Sequence, residues 1–316
     1  MDIIVDVHSH FYPKAFVQKL QEIGTLNLQG NTAILTWEGR KSAAGIGIVN
    51  IEAKLKEIKR MDNRVYSILS VPNPWTYFIR DKKEEIEIAK KCNEEISSIM
   101  RSYPSYFGGF ATLPLNDIEA SMEEAERAIK ELNLQGFVIG TGINGSTIAD
   151  DKYKELLDLI SRLGKPILLH PGTLKTGENE GVLSVIASFP FETTYVILKM
   201  IKNWRDGIKI IAPHGGGFIP YQLGRVNLLK EVFNYTEDKP WNIIKKGVYF
   251  DSVLYREEEL SFLVGSVGKE RVLFGTDHPF TVSNPSLMMN NVNKIDHEIR
   301  DYIMFKNALE IIKIHL

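Results

Sequence analysis

The sequence is poor in cysteine, in long apolar runs and in charge of one sign. Cys92 is the only cysteine in 316 residues, which excludes an intrachain disulfide framework. Cys92 falls on the same apolar face of a helical pattern as Ile88 and Ile96, which indicates a buried, inert thiol. No apolar stretch approaches the ~20 residues of a membrane-spanning helix, and the N-terminus carries no basic leader, so we expect a cytoplasmic protein with no membrane partner. The 38 basic and 40 acidic side chains nearly cancel, which argues against nucleic acid as a partner.

Short strand-like runs alternate with longer helical segments. Asp117 begins one helical segment, and another covers 153–163 and stops at Gly164. This alternation predicts parallel strands with helical crossovers. Eight strands favour an α/β fold of the (β/α)₈ TIM-barrel type, in a distorted form, over an open doubly wound sheet. The eight runs are 3–7, 65–70, 108–113, 136–139, 166–170, 208–212, 248–251 and 272–275.

The chain is longer than the ~250 residues of a typical barrel, so extra segments are expected. One is an insertion at about 12–50 that is rich in glycine and contains strand-like pieces, which predicts a small β-rich flap after the first strand. The other is a helical region after about Ser286. With no internal repeat and no Pro- or Ser-rich linker, we expect one domain over 1–316.

Polar residues that suit metal chemistry stand at predicted strand ends. His8 and His10 follow the first strand, His170 ends the fifth, His214 follows the sixth and Asp277 follows the eighth. The C-terminal strand ends of a barrel form one rim, where active sites lie. His8, His10, His170 and Asp277 would offer three nitrogens and one oxygen to a divalent ion, and we expect Zn²⁺ with Mn²⁺ as the alternative.

His214 is then left over and is the candidate general base. The run 214–217, HGGG, also resembles an oxyanion-hole motif, but the G-x-S-x-G elbow that must accompany it is absent. The glycines are better explained by close packing of backbone around His214. Asp6 is a candidate to orient an imidazole, with backbone hydrogen bonding as the alternative.

The remaining histidines carry no such placement. His278, His297 and His315 are interpreted as structural, with His278 the open case because it adjoins Asp277. Sequence signatures of a zincin protease (His-Glu-x-x-His) and of a Walker A phosphate loop are absent.

Several motifs together resemble the 2-amino-3-carboxymuconate-6-semialdehyde decarboxylase group of the amidohydrolase superfamily. They are VDVHSHFYP (5–13), FGGFATLP (107–114), HP (170–171), PFETT (190–194), HGGGFIP (214–220) followed by GR (224–225), and GTDHPF (275–280). Each motif is weak alone, but their order spans nearly the whole chain.

The resemblance implies a distorted barrel with one divalent metal. By that resemblance His8, His10, His170 and Asp277 are ligands, and His214 is the base that acts on metal-bound water. Arg225 matches an arginine that reaches a substrate carboxylate across a dimer interface, so a homodimer is implied. A plain helix-surface role for Arg225 is the alternative. The end of the fourth strand offers no lysine for a carbamylated bridge, which favours one metal over two.

The substrate-binding positions depart from that group. Ser42 or Ala43 stands where the group has a flap arginine, and Arg40 would replace it if the flap shifts. About Val185 stands where the group has a tryptophan. Our candidate substrate-binding residues are therefore Phe11, Arg40 and Arg225.

Three functions compete at this stage. The first is a metal-dependent non-oxidative decarboxylase of a small unsaturated or aromatic carboxylic acid, with His214 and Asp277 as catalytic residues. The second is a metal-dependent hydrolase or hydratase that acts on a lactone, an amide or an activated double bond, since the same ligand set serves both. The third is a metal-binding protein without turnover, which would leave His214 without a role.

Overall fold

A computed structural model describes residues 3–37, 39–172 and 183–313 of the chain. The strands of the described chain are β1 (Ile4–His10), β2 (Leu26–Gln29), β3 (Thr32–Trp37), β4 (Arg40–Gly45), β5 (Val65–Ser70), β6 (Phe107–Ala111), β7 (Gly136–Gly140), β8 (Gly142–Ile143), β9 (Ser146–Thr147), β10 (Pro166–His170), β11 (Lys209–Ala212), β12 (Val248–Asp251) and β13 (Val272–Leu273). Eight of them are parallel and form the central sheet in the order β1-β5-β6-β7-β10-β11-β12-β13.

The sheet closes where its first and last strands meet. Val7 N–H donates to the Phe274 carbonyl at 3.0 Å, and Asp277 N–H donates to the His8 carbonyl at 2.8 Å. Ser9 also forms an isolated parallel bridge with His278. The predicted distorted (β/α)₈ barrel is thus confirmed. Its last strand is shorter than the predicted run 272–275, because regular pairing with β12 stops at Leu273.

Helices connect the strands on the outside of the barrel. Asp81 and Asp117 cap α3 and α4 by accepting hydrogen bonds from backbone N–H groups, and α5 ends at Gly164 in the left-handed region, φ 66°. The helices are α1 (Lys14–Glu22), α2 (Ile51–Met61), α3 (Lys82–Ser102), α4 (Ile118–Lys130), α5 (Lys154–Leu163), α6 (Phe189–Met200), α7 (Leu223–Val226), α8 (Leu228–Glu231), α9 (Pro240–Gly247), α10 (Glu257–Val267), α11 (Pro285–Asn293), α12 (His297–Asp301) and α13 (Asn307–Ile312).

Two apolar layers hold the barrel together. The larger layer lies between strands and helices and includes Cys92, which is fully buried as predicted. The smaller layer fills the barrel interior with side chains such as Val5 and Ile68, and Ile311 of α13 packs against it. Since α13 belongs to the predicted C-terminal helical region, that region completes the inner core.

The insertion after β1 contains the predicted β-rich flap. Strands β2, β3 and β4 form a three-stranded antiparallel sheet, and α1, which was not predicted, precedes it. The last flap strand is joined to the chain beyond β13: Gly45 N–H donates to the Pro279 carbonyl at 2.8 Å, and Thr281 N–H donates to the Ala43 carbonyl at 2.9 Å. These bonds fix the flap beside the C-terminal rim of the barrel.

No helix among the described residues has the length and apolar character needed to cross a membrane.

Candidate active site

Four buried side chains meet at the C-terminal rim of the barrel. His8 and His10 lie at the end of β1, His170 ends β10, and Asp277 lies beyond β13. One possible ligand atom from each lies within 4.8 Å of all the others. The structure therefore brings together the four residues that the sequence analysis proposed as a metal-binding set.

Irregular backbone orients these side chains. The pairing of β1 with β5 shifts register between Asp6 and Ser9, which is a bulge in β1. Val5 and Val7 face the inner core before the bulge, while His8 and His10 face each other at the rim, with 3.0 Å between their Nε2 atoms. Asp277 adopts a left-handed φ of 58°, so the chain turns sharply where its carboxylate joins the cluster.

Hydrogen bonds fix the tautomer of His8 and His10. His8 Nδ1 lies 2.6 Å from Asp251 Oδ2, so Nδ1–H donates to the carboxylate and the Nε2 lone pair is directed at the other cluster residues. Ser70 Oγ donates to the Ser9 carbonyl at 3.0 Å, so it accepts from His10 Nδ1–H, also at 3.0 Å. His10 Nε2 therefore also presents a lone pair.

His170 has the same arrangement. Its Nδ1–H donates to the Pro171 carbonyl at 2.8 Å. Its buried Nε2 atom has no hydrogen-bond partner among residues 3–37, 39–172 and 183–313. Three imidazole lone pairs and a carboxylate thus converge on one point, and acceptors so close together repel unless a cation lies between them.

The electrostatics of the cluster favour a positive charge. Burial disfavours the charged form of His8, but the charge of Asp277 and the hydrogen bond to Asp251 outweigh it and raise its pKa to about 10. Without a metal, His8 Nε2 therefore carries a proton, and a bound cation would replace that proton. Burial lowers the pKa of His10 to about 4, and burial together with the charges of His10 and His8 lowers that of His170 well below its usual value. Burial works to raise the pKa of Asp277, yet the charge of His8 holds it well below its ordinary range.

A single divalent cation fits this donor set. Three neutral imidazole nitrogens and one ionised carboxylate oxygen are ligands that such ions take in catalytic sites, with room left for a further ligand. The polar atoms behind the imidazoles, on Asp251, Ser70 and Pro171, supply the outer hydrogen bonds that hold ligand histidines in place.

His214 lies beside the cluster and is partly open to solvent. Its Nε2 atom is 3.7 Å from Asp277 Oδ2, and its side chain is 18% exposed. Its Nδ1 atom is buried and has no hydrogen-bond partner in the part of the chain that the structure describes. The imidazole is thus close enough to exchange a proton with Asp277 after a small approach.

The three glycines after His214 allow this placement. All three have positive φ, and a Cβ on Gly216 would lie 2.2 Å from the Phe250 ring, while one on Gly217 would lie 2.2 Å from the Pro190 carbonyl. This is the close packing expected for the HGGG run.

The carboxylate that orients an imidazole is Asp251, which the sequence analysis missed. Asp6, the predicted candidate, bonds instead to the backbone N–H groups of His8 and Thr276 and to the Thr276 hydroxyl. The prediction that Asp6 orients an imidazole is therefore wrong, and its alternative, backbone bonding, is correct. Asp251 ends the seventh predicted strand on the same rim, and that strand-end position could have identified it from the sequence.

The candidate substrate-binding residues lie in different places. Phe11 is buried in the large apolar layer at 2% exposure. Arg40 lies on β4 opposite Trp37, and its side chain is outside the described part of the structure. Arg225 lies on α7 with an exposed side chain. Their roles in substrate binding stay predictions, as does any part played by Val185.

Aromatic rings that the sequence analysis did not assign surround the histidines. The Phe280 ring centroid lies 5.4 Å from that of His10, the Trp75 centroid 6.0 Å from that of His170, and the Phe189 centroid 6.0 Å from that of His214. Phe280 belongs to the GTDHPF motif, whereas Trp75 and Phe189 lie in loop and helix-start positions with no separate signal.

The two other histidines among the described residues are not part of the cluster. His278 is buried against Lys54 and Glu57, and His297 begins α12 with an exposed side chain. His315 lies outside the described residues.

A parallel eight-stranded barrel with a buried three-histidine, one-aspartate cluster at its C-terminal rim defines a class of metal-dependent enzymes. The family model described as Amidohydrolase matches residues 5–314. The chain therefore belongs to the amidohydrolase family.

Individual relatives are distant but cover almost the whole chain. The 2-amino-3-carboxymuconate-6-semialdehyde decarboxylase of Dictyostelium discoideum is 25% identical, over 98% of this chain and 91% of its own length. The 5-carboxyvanillate decarboxylase structure from Sphingomonas paucimobilis has a TM-score of 0.83 at 17% identity and 100% coverage of both chains. A dihydroxybenzoic acid decarboxylase from Polaromonas sp., solved with manganese and 2-nitroresorcinol, has a TM-score of 0.80 at 21% identity and covers 99% of this chain and 97% of its own.

Proposed function

We propose that this protein is a metal-dependent, non-oxidative decarboxylase of a small unsaturated or aromatic carboxylic acid. The observation that carries the proposal is that the two carboxylate oxygens of Asp277 face different partners. Its Oδ1 atom lies 3.0 Å from His10 Nε2 and 3.3 Å from His8 Nε2, while its Oδ2 atom faces His214. One carboxylate can thus bind the ion through one oxygen and exchange a proton through the other. The Dictyostelium relative, a decarboxylase by name, supports the same reaction.

The reaction requires little from the protein beyond charge and a proton. His8, His10, His170 and Asp277 would hold the divalent ion, and the bound ion would supply positive charge near a substrate oxygen. The bond between the ring or chain carbon and the carboxylate breaks, its electron pair stays on that carbon, and CO₂ leaves. The same carbon gains one proton, so no redox partner is needed.

His214 and Asp277 are the residues that we propose to move that proton. The separation of 3.7 Å between His214 Nε2 and Asp277 Oδ2 is short enough for exchange after slight movement. The partly exposed edge of His214 connects the pair to solvent, which can replace the proton after each turnover.

The aromatic surroundings support a planar substrate. Phe280, Trp75 and Phe189 each have a ring centroid 5.4–6.0 Å from that of a different histidine. Flat apolar faces pack well against an aromatic or conjugated ring. We propose Phe11, Arg40 and Arg225 as further substrate-binding residues, with the two arginines suited to a carboxylate.

We propose Zn²⁺ as the resident ion, with Mn²⁺ as the alternative. Three imidazoles and one carboxylate make a suitable zinc site, whereas the Polaromonas neighbour was solved with manganese. Elemental analysis of protein purified without added metal distinguishes the two ions.

We also propose a homodimer in which Arg225 reaches the partner's site. Large apolar side chains near Arg225 are exposed, including Phe218 at 45%, Tyr221 at 75% and Phe233 at 69%. Exposed apolar patches of this kind often mark protein interfaces. Light scattering on the eluting protein measures the mass, and mixing Arg225→Ala with His214→Ala chains tests the shared site: restored activity in the mixture is expected only if Arg225 acts across the interface.

The main test is CO₂ release by metal-loaded protein. The panel contains 2-amino-3-carboxymuconate semialdehyde, dihydroxybenzoates and 5-carboxyvanillate, and His214→Ala is the control variant. Release that depends on added metal, and that falls by about 10²–10⁴-fold in His214→Ala while its metal content stays unchanged, is the expected result.

Absence of CO₂ release across this panel from fully metallated protein would contradict the proposal. Lactones, amides and activated double bonds then become the test substrates, because a hydrolase or hydratase would use the same ligand set. Heavy-oxygen water separates the reactions: hydrolysis and hydration place the label in the product, and decarboxylation of a ring acid does not.

A further inference from the structure

A lysine is buried behind the ligand cluster, and the proposed reaction does not use it. Lys54 lies on α2, and its side chain has no exposed surface. Its Nζ atom lies 3.1 Å from His278 Nδ1 and donates to the His278 carbonyl at 3.3 Å. Burial lowers its pKa to about 7, against the attraction of Asp6 and Glu57. A buried ammonium costs several kcal/mol of solvation, so its presence is poorly explained by folding stability alone.

The His278 carbonyl is a shared acceptor at the join between the first and last strands. It accepts from His10 N–H at 2.8 Å, from Ser9 Oγ at 3.3 Å and from Lys54 Nζ at 3.3 Å. His10 is one candidate ligand, and Asp277, which directly precedes His278, is another. One carbonyl therefore fixes the distance between the two ligand-bearing segments.

The His278 side chain lies between Lys54 and Glu57 of α2. Because the Lys54 ammonium donates to Nδ1, the imidazole proton is on Nε2, which lies 3.1 Å from Glu57 Oε2. Lys54 and Glu57 are three residues apart on α2, on one helix face. The helix thus holds the backbone and the ring of His278 together.

The end of the flap packs directly on this helix face. A Cβ on Gly47 would lie 2.5 Å from Glu57 Oε2 and 3.2 Å from Lys54 Cα, so no side chain fits there. Gly45 N–H donates to the Pro279 carbonyl at 2.8 Å. The flap, α2 and the segment 277–280 therefore meet at one tightly packed junction.

We propose that Lys54 is a positioning residue for the metal centre: through the carbonyl and the imidazole of His278 it sets the placement of Asp277 relative to His10. The inference rests on the proposed function only in requiring a metal at the four-residue cluster. Outer contacts that orient ligands typically change metal affinity by about 10–100-fold when removed, and an effect of that size on affinity is what separates positioning from a purely structural role.

The test is the dissociation constant for Mn²⁺ and for Zn²⁺, measured by chelator competition on full-length protein. Lys54→Met keeps the apolar stem and removes the ammonium. We expect its metal dissociation constant to rise about 10–100-fold, while the melting temperature of the metal-free protein changes little. Lys54→Arg, which can still donate to the carbonyl, is expected to recover part of the affinity.

Lys165→Met is the matched control. Lys165 also donates to a backbone carbonyl, that of Ile312 at 3.1 Å, but it precedes β10 at the end opposite to His170. Its loss is expected to leave metal affinity unchanged. Glu57→Gln, at a side chain 33% exposed, is the second variant; it should fold even if Lys54→Met does not, and we expect it to weaken metal binding several-fold.

The inference would be overturned if Lys54→Met binds metal within twofold of the wild-type affinity. If Lys54→Met is unfolded, the same criterion applies to Glu57→Gln. So would a wild-type protein that binds no metal at the cluster, shown by equal binding in a His8→Ala variant. Because these measurements use metal alone, a protein that binds metal but releases no CO₂ refutes the proposed decarboxylation and leaves the role of Lys54 standing.

Discussion

Replacing Asp251 by asparagine should weaken metal binding and leave the fold intact. Asp251 Oδ1 accepts hydrogen bonds from the N–H groups of Gly215 at 3.0 Å and Val253 at 3.1 Å, so this position requires an oxygen. An asparagine that keeps its oxygen there must point its NH₂ group at His8 Nδ1. The imidazole then favours the tautomer with Nδ1 as acceptor and its proton on Nε2, where the ion should bind.

The size of the effect follows from the bond that is lost. A charge-assisted hydrogen bond such as the 2.6 Å contact from His8 to Asp251 contributes about 1.5–3 kcal/mol. At 1.4 kcal/mol per tenfold change, the metal dissociation constant should rise about 10–100-fold. Both backbone donors keep their acceptor, so the melting temperature of the metal-free protein should stay close to that of wild type.

Chelator competition for Mn²⁺ measures this effect, with Ser70→Ala as a graded control. Ser70 makes only a neutral hydrogen bond to His10 Nδ1 at 3.0 Å, worth about 0.5–1.5 kcal/mol, so about a 2–10-fold loss is expected. The tautomer argument is wrong if Asp251→Asn binds Mn²⁺ as tightly as wild type. It is also wrong if Asp251→Asn binds Mn²⁺ more tightly than Ser70→Ala does.

Three further outcomes follow from packing, burial and ion binding. Gly216→Ala should destabilise the protein by about 2–4 kcal/mol, because its φ is 77° and the new Cβ would meet the Phe250 ring at 2.2 Å; Gly224→Ala, with no atom within 4 Å of the new Cβ, should leave the melting temperature unchanged. Burial raises the pKa of Glu85 from 4.5 to about 7, so the stability linked to its proton is present below pH 4.5 and is lost as pH rises to about 7. Glu85→Gln should therefore be more stable than wild type by about 2 kcal/mol at pH 8 and about as stable as wild type at pH 4.5. Urea unfolding at both pH values measures the two free energies. The same stability difference between variant and wild type at both pH values would contradict this prediction. Chelation of the ion should lower the free energy of unfolding by about 2.7 kcal/mol relative to protein in a hundredfold excess of metal over the dissociation constant. The melting temperature should fall with it, and a His8→Ala variant should show no such fall.

The barrel was predictable because its strands are short apolar runs that end in distinctive residues. Every one of the eight runs became a strand of the central sheet, since buried parallel strands read as continuous apolar segments. The flap sheet was predictable from its glycines and alternating residues. Helix α1 was missed because it lies in a segment without a capping residue: Pro13 precedes it and makes no side-chain cap.

The ligand cluster was predictable from strand ends, but its supports were not. A bulge between Asp6 and Ser9 changes which side chains face the rim, and no local residue pattern announces it. Asp6 lies within β1 and Asp251 ends β12, and only the three-dimensional structure shows which of them meets an imidazole. Lys54 reads in the sequence as one of several helix-surface lysines, and its burial arises from the flap packing over α2.

The join between β1 and the chain beyond β13 has a consequence for how the protein assembles. His8 and Asp277 are separated by most of the chain, yet Asp277 N–H donates to the His8 carbonyl at 2.8 Å and their side chains share the cluster. A nascent chain that lacks the last strand has three imidazoles but no carboxylate to complete the set. Such long-range closure is slow because it carries a large loop entropy. Capture of the ion therefore comes late in folding, and metal retention reports that the barrel has closed.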